Sequence, residues 1–262
     1  AARIIITANC LLRCQMCTFW HHQHADPDLD LIKYWIKELA DFGIKHIGLV
    51  GGEPLMRKDI VDIVKEIKSY GMTVSMTTNG WLVGQVPFPP VDFCEISIDG
   101  ATAETHDKIR GVKGSWERAV NAVRIAQQYC RVSQLNFVLQ KDNYREVADF
   151  CQLAKKLGVS VTLIPCSPQL AAQPFVSDNL IKFDKQILKD SIDTAIKMGN
   201  ILNQEFLKFF LDKSEKINQR QRCMAHFRVI LIFINGDIYP CGNFDRPVGN
   251  LSREKKLKDI YQ

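Results

Sequence analysis

The stretch Arg3-Ile4-Ile5-Ile6-Thr7-Ala8-Asn9-Cys10-Leu11-Leu12-Arg13-Cys14-Gln15-Met16-Cys17 turns without a break from a β-branched apolar run into a loop with three cysteines. Residues 3–8 read as a strand. The spacing after it is Cys-x3-Cys-x2-Cys. Three thiolates on one loop suit three corners of a [4Fe–4S] cube and leave the fourth iron open to an exogenous ligand. A tetrahedral zinc site is the alternative, with His21, His22 or His24 as a fourth ligand.

Around this loop the chain has 262 residues, 46% of them hydrophobic and 24% charged, the balance of a globular protein with a core. Disorder and collagen-like structure are excluded. The longest apolar run, Val229 to Ile234, is too short to span a bilayer as a helix. The N-terminus lacks the length of a signal peptide. A soluble, cytoplasmic protein is therefore expected, with residues missing beyond one or both abrupt ends. The net charge of +5 is mild. It allows an anionic ligand, calls for no nucleic acid, and leaves Arg253–Lys258 as a solvated helix face. Nine cysteines, an odd count, favour metal or redox chemistry over a disulfide framework.

Strand and helix patterns alternate along the first two thirds. Strands are expected at 3–8, 46–50, 72–78, 92–98, 134–139 and 159–164. Helices are expected at 30–42, 59–70, 115–130 and 144–157, several ended by a glycine. Trp81–Val91, with three prolines, is an abbreviated crossover or a place where residues are absent. Six strands alternating with helices predict an α/β fold with a parallel sheet. After Pro165 the rhythm changes. A loop at 167–174 precedes helical stretches at 178–198 and 203–218, a hairpin about Asn235-Gly236, and a last helix at 252–261. Residues 1–199 are expected to form the core and 200–262 a smaller extension.

Four successive strands end in polar or glycine-rich sequence: Cys10–Cys17, Gly51-Gly52-Glu53-Pro54, Thr77-Thr78-Asn79-Gly80 and Ser97-Ile98-Asp99-Gly100. In α/β barrels such strand ends build the site, so the four share one rim. Glycines there let a ligand approach the backbone, and a carboxylate can receive an ammonium group.

With these motifs, residues 3–165 resemble the radical S-adenosylmethionine (radical SAM) superfamily. The resemblance implies a partial (β/α)6 TIM-like barrel with a small C-terminal α+β hairpin extension. It implies Cys10, Cys14 and Cys17 as ligands of a [4Fe–4S] cluster, and SAM chelating the open iron. Gly51, Gly52, Glu53, Pro54 and Asn79 would flank SAM, with Gly52 and Glu53 near its amino group. Ser97, Asp99 and Arg110 would lie toward its carboxylate or ribose, and Phe19 near adenine. Met16 stands where the family usually has an aromatic residue. The activity implied is reductive cleavage of SAM to a 5′-deoxyadenosyl radical, which takes a hydrogen atom from substrate. A donor such as flavodoxin or ferredoxin would supply the electron.

Cys223, Gly236 and Cys241 resemble the opening of a SPASM or twitch extension. That likeness implies a second iron–sulfur cluster, although the downstream cysteines of the pattern are absent. Cys166 follows the sixth strand at the same rim and is a candidate auxiliary ligand or hydrogen-atom donor. Cys94, Cys130 and Cys151 read as small core hydrophobes. The expected reaction is an oxidation or rearrangement of a sugar- or nucleoside-like small molecule. A peptide-modifying maturase is the alternative enzyme, and a zinc or redox-sensing binding protein the alternative of another class.

Overall fold

The computed structural model describes residues 1–21, 25–130, 132–166, 182–213, 229–242, 244, 246–252 and 255–261. Six strands run parallel: β1 (Ala2–Ile5), β2 (His46–Val50), β3 (Thr73–Thr78), β4 (Phe93–Ser97), β5 (Val132–Leu139) and β6 (Ser160–Pro165). Helices α1 (Leu29–Asp41), α2 (Ile60–Ser69), α3 (Ala103–Arg110), α4 (Ser115–Ala126), α5 (Val147–Lys156) and α6 (Lys185–Lys197) intervene, giving the partial barrel. Sequence and structure agree on every strand to within a few residues.

Strand alternation explains the two faces. Ile4, Ile47, Leu49, Val74, Met76, Ile96, Leu135 and Phe137 are fully buried in the main core. Many of the alternate residues are polar and meet inside the barrel, among them Thr77, Glu95 and Asn136. Glu95 accepts hydrogen bonds from Thr77 Oγ1 at 2.9 Å and Asn136 Nδ2 at 2.8 Å. His46 bonds Thr73 and Ser75. A polar lumen of this kind makes the strands read as alternating rather than uniformly apolar.

The helices begin where the sequence supplies caps. Asp28 accepts from Leu31 N at 2.6 Å and starts α1, whose Ile32, Trp35, Ile36 and Leu39 are buried. The crossover from β3 to β4 is the abbreviated one, with no helix and a single bridge between Val83 and Val86. The periodicity did not disclose α3. Only His106, Ile109 and Arg110 are buried along it, too few for an apolar stripe.

Beyond β6, Asn200 to Leu202 run beside that strand. Val161 N donates to Asn200 O and Leu202 N to Val161 O, at 2.8 and 2.9 Å. The expected boundary at 199 thus falls just before residues that extend the barrel's own edge. Helix α7 (Gln204–Lys213) follows. Strands β7 (Ile230–Ile232), β8 (Asp237–Tyr239) and β9 (Gly249–Asn250) continue the same sheet past β1, in the order β6-β5-β4-β3-β2-β1-β7-β8-β9. β7 lies parallel to β1, β7 and β8 pair antiparallel through the expected Asn235-Gly236 turn, and β9 pairs antiparallel with β8. The last helix, α8 (Leu257–Ile260), is shorter than expected. It docks on α1, where Glu38 accepts from Leu257 N at 2.9 Å and Trp35 Nε1 donates to Leu251 O at 2.9 Å. Among the described residues, no helix is long and apolar enough to cross a membrane.

Candidate active site

The cysteine loop is fixed from two sides. After β1, Gly52 N donates to Thr7 O at 2.8 Å and Glu53 N to Asn9 O at 2.7 Å. The two chains pass so closely that side chains at both glycines are excluded. A Cβ on Gly51 would lie 2.3 Å from Thr7 O, and one on Gly52 2.2 Å from Asn9 O. Gly51 also has φ 150°. On the other side, Arg13 N and Gln15 N donate to Arg110 O and Ile109 O, the last carbonyls of α3. These bonds satisfy carbonyls that a helix end leaves open. Part of the Gly-Gly signal thus comes from this close backbone pass.

A cleft of about 770 Å³ opens at the C-terminal ends of the strands. Cys10, Cys14, Cys17, Gly51, Gly52, Asn79, Ser97, Arg110 and Cys166 line it, as do Thr77 and Thr78. Asn79 Nδ2 lies 3.6 Å from Cys10 Sγ, and Arg110 Nη1 3.8 Å from Cys14 Sγ. Burial raises the pKa of all three loop thiols, Cys17 to about 11; neighbouring sulfurs add to the rise at Cys10 and Cys17, and Asp99 adds to it at Cys14. Arg110 opposes the rise at Cys14 and Cys17. Thiols that resist ionising alone, beside an amide and a guanidinium, suit thiolates neutralised by iron. Among the described residues, no three Cys, His, Asp or Glu side chains gather around a single-ion position. His22 and His24 lie outside those residues.

Glu53 is fully buried. Its Oε1 accepts from Leu55 N at 3.1 Å and Thr78 Oγ1 at 2.7 Å, and its Oε2 from Asn79 N at 2.8 Å. Burial raises its pKa against these bonds. The carboxylate therefore ties the β2 turn to the end of β3 and sets Asn79 toward Cys10. Pro54 begins the short 3-10 turn that Glu53 caps.

Asp99 is also fully buried, behind the cleft wall. Oδ1 accepts from Val138 N at 2.7 Å, and Oδ2 is 2.6 Å from Arg110 Nη2. Burial raises the Asp99 pKa, and Arg110 counters it. The guanidinium's own pKa stays high despite burial because Asp99 and Cys14 face it. Cys166 donates its backbone N–H to Leu139 O at 2.9 Å, and burial pushes its thiol to about 11. It is a protonated thiol at neutral pH. Phe19 packs with Ile5, Ala8 and Ile234 and is not among the residues lining the cleft. Cys241 is half-buried, and Cys223 lies outside the described residues. Cys94 and Cys151 are buried, as expected.

Sequence reasoning gave no role to Val138, Leu163, Asn203, Phe206 or Phe210, which also line the cleft. The signal available was three phenylalanines in five residues of α7, more than one helix face can bury.

Residues 4–154 match the family model described as the radical SAM superfamily. The chain belongs to the radical SAM superfamily. Members use a [4Fe–4S] cluster and S-adenosylmethionine, so this is a radical SAM enzyme. An AdoMet-dependent heme synthase of Methanosarcina barkeri is 27% identical over 98% of this chain and 80% of its own. A probable GTP 3′,8-cyclase of Saccharolobus islandicus is 32% identical over 74% of this chain and 67% of its own. The chain also superposes on Streptococcus suis SuiB bound to precursor peptide SuiA, with TM-score 0.73 and 17% identity. That match covers 99% of this chain and 64% of SuiB, so the chain spans under two thirds of that neighbour. Native anSMEcpe with bound AdoMet and Cp18Cys peptide gives TM-score 0.72 at 16% identity, covering 100% of this chain and 79% of the other. These structural likenesses show the shared fold.

Proposed function

We propose that Cys10, Cys14 and Cys17 hold the [4Fe–4S] cluster and that the enzyme oxidises or rearranges a small molecule by hydrogen-atom abstraction. The observation that carries this is the meeting, in one cleft, of the three thiols with Asn79, Arg110 and the Gly51-Gly52 turn. A reduced cluster and SAM held there would supply the radical chemistry for hydrogen-atom abstraction. The chain's residues position and enclose that chemistry. The backbone at Gly51-Gly52 and the Asn79 amide face the SAM side, and Ser97 offers a hydroxyl at the next strand end. Glu53 fixes Asn79, and Asp99 fixes Arg110. Phe19 supports the loop beneath. Cys166, protonated on the same rim, can donate a hydrogen atom or serve as an auxiliary ligand.

Cys223 and Cys241 are proposed as ligands of a second cluster, which would accept the substrate electron or bind substrate. A flavodoxin- or ferredoxin-like protein would reduce the first cluster. Two relatives named for small-molecule reactions, one matched over 98% of this chain, support the small-molecule reading.

The test is the Cys10→Ala/Cys14→Ala/Cys17→Ala variant under dithionite. Wild type should form 5′-deoxyadenosine and the variant none, and continued formation in the variant would refute the ligand assignment. Iron analysis addresses the second cluster. About eight iron atoms per chain are expected with two clusters and about four with one. Cys223→Ala/Cys241→Ala should remove the excess. Four atoms in the wild type would make those two cysteines structural.

A further inference from the structure

The cleft is lined by two kinds of residue. Besides the sulfurs and polar strand ends it has an apolar set, Val138, Leu163, Ile164 and Pro165 of β5 and β6 with Phe206 and Phe210 of α7. This wall is anchored. Asn203 Nδ2 donates to Leu163 O at 2.7 Å, and Leu163 N donates to Asn203 Oδ1 at 3.2 Å, so the side chain replaces a neighbouring strand. One turn on, Leu207 is fully buried in the main core. Phe206 and Phe210 are left one turn apart, their ring centroids separated by 6.5 Å and their planes by 23°. Phe206 remains 50% exposed and Ile164 41%. Open apolar surface beside a reaction cleft marks a binding site.

We infer that this wall seats the substrate, and that the substrate is a small molecule presenting a flat, uncharged, conjugated ring face to Phe206 and Phe210. The inference rests on the radical SAM reading of the cysteine side of this cleft and names the substrate class that reading leaves open. Two near-parallel rings favour a flat partner in offset or edge contact. A polyphosphate would seek unpaired cations. Among the described lining residues the cation is Arg110, and its charge is met by Asp99 at 2.6 Å. A peptide added as a strand would need the free edge of β6. That edge of β6 is already taken: Asn200 and Leu202 use Val161, and Asn203 uses Leu163.

The test uses the reconstituted, SAM-loaded protein without oxygen and measures equilibrium binding of four probes. Acridine and protoporphyrin IX are the flat conjugated probes, and GTP and an unstructured decapeptide the contrasts. At least one flat probe should bind saturably, and GTP and the peptide at least about tenfold more weakly. Phe206→Ser should weaken the flat probe about tenfold, and Phe206→Trp should preserve its binding. Phe206 is half exposed, so these variants leave the core intact, and Phe210→Ser provides a second reading of the wall. The inference is overturned if protein that binds SAM normally takes up neither flat probe. It is equally overturned if both serine variants bind like wild type, or if GTP or the peptide binds more tightly than the rings. Failure of the radical SAM reading is separate: it would show as wild type that neither binds SAM nor forms 5′-deoxyadenosine.

Discussion

Arg110 Nη1 stands 3.8 Å from Cys14 Sγ while Nη2 of the same guanidinium pairs with Asp99 at 2.6 Å. A buried positive charge beside a thiolate ligand favours the more negative, reduced state of a cluster. Neutralising the pair as Arg110→Gln/Asp99→Asn should lower the cluster's midpoint potential by about 60 mV, the equivalent of roughly 1.4 kcal/mol for one electron. Redox titration followed by electron paramagnetic resonance would measure it. An unchanged potential would leave Arg110 a partner of Asp99 only. Arg110→Gln alone should also unfold more easily, by about 3–5 kcal/mol, because Asp99 is left buried without a counter-charge.

Gly52→Ala should be severe out of proportion to its size. Its Cβ would overlap Asn9 O, a backbone atom held by Glu53 N. The β1 end must move, and Cys10 with it. The expected outcome is folded protein that takes up little iron on reconstitution. Normal iron content and normal SAM binding would show that the two chains can separate without cost.

Glu53→Ala should destabilise the protein as well as weaken SAM binding. The change strands three buried donors, Leu55 N, Thr78 Oγ1 and Asn79 N, so a loss of at least about 2 kcal/mol is expected. Denaturant unfolding of the apoprotein reads this without the cofactor. Glu53→Gln keeps one acceptor oxygen and should lose less.

His106 predicts a pH dependence. Its Nδ1 accepts from Asp99 N at 3.0 Å, and burial, reinforced by Arg110, lowers its pKa from 6.5 to about 3. Above pH 6.5 the ring is neutral in folded and unfolded chains alike and changes nothing. Below that, the unfolded chain takes up a proton that the folded one refuses until about pH 3. Stability should therefore fall on acidification by about 1.4 kcal/mol per pH unit, or about 2 kcal/mol by pH 5. His106→Asn should lose that part of the slope in unfolding experiments at pH 7, 6 and 5. Parallel slopes would mean that His106 does not set it.

The barrel and its rim were legible because each strand ends in sequence unlike its body. Val50-Gly51-Gly52-Glu53 and Thr78-Asn79-Gly80 need no structure to be read as strand exits. The roles behind the rim were less legible. Glu53 and Asp99 hold neighbouring donors and cations, contacts made across 26 and 11 residues, which spacing does not encode. Helix α3 escaped because a helix end that carries a loop has few apolar residues to display. The phenylalanine wall escaped because α7 is brought to the site by tertiary contacts, the grip of Asn203 on β6 just before it and the burial of Leu207, which periodicity does not display.

The placement of β7 beside β1 has a consequence for synthesis. One edge of β1 is taken by β2 at Ile47–Val50, but the other waits for Ile230–Ile232. At ordinary elongation rates of roughly 5–20 residues per second, that edge is unpaired for at least about ten seconds after β1 is made. An apolar strand with a bare edge can pair with a neighbouring chain. The hairpin that brings Cys241 to the sheet is thus also the piece that ends this vulnerable interval, and nascent chains halted before residue 230 should be the ones that aggregate.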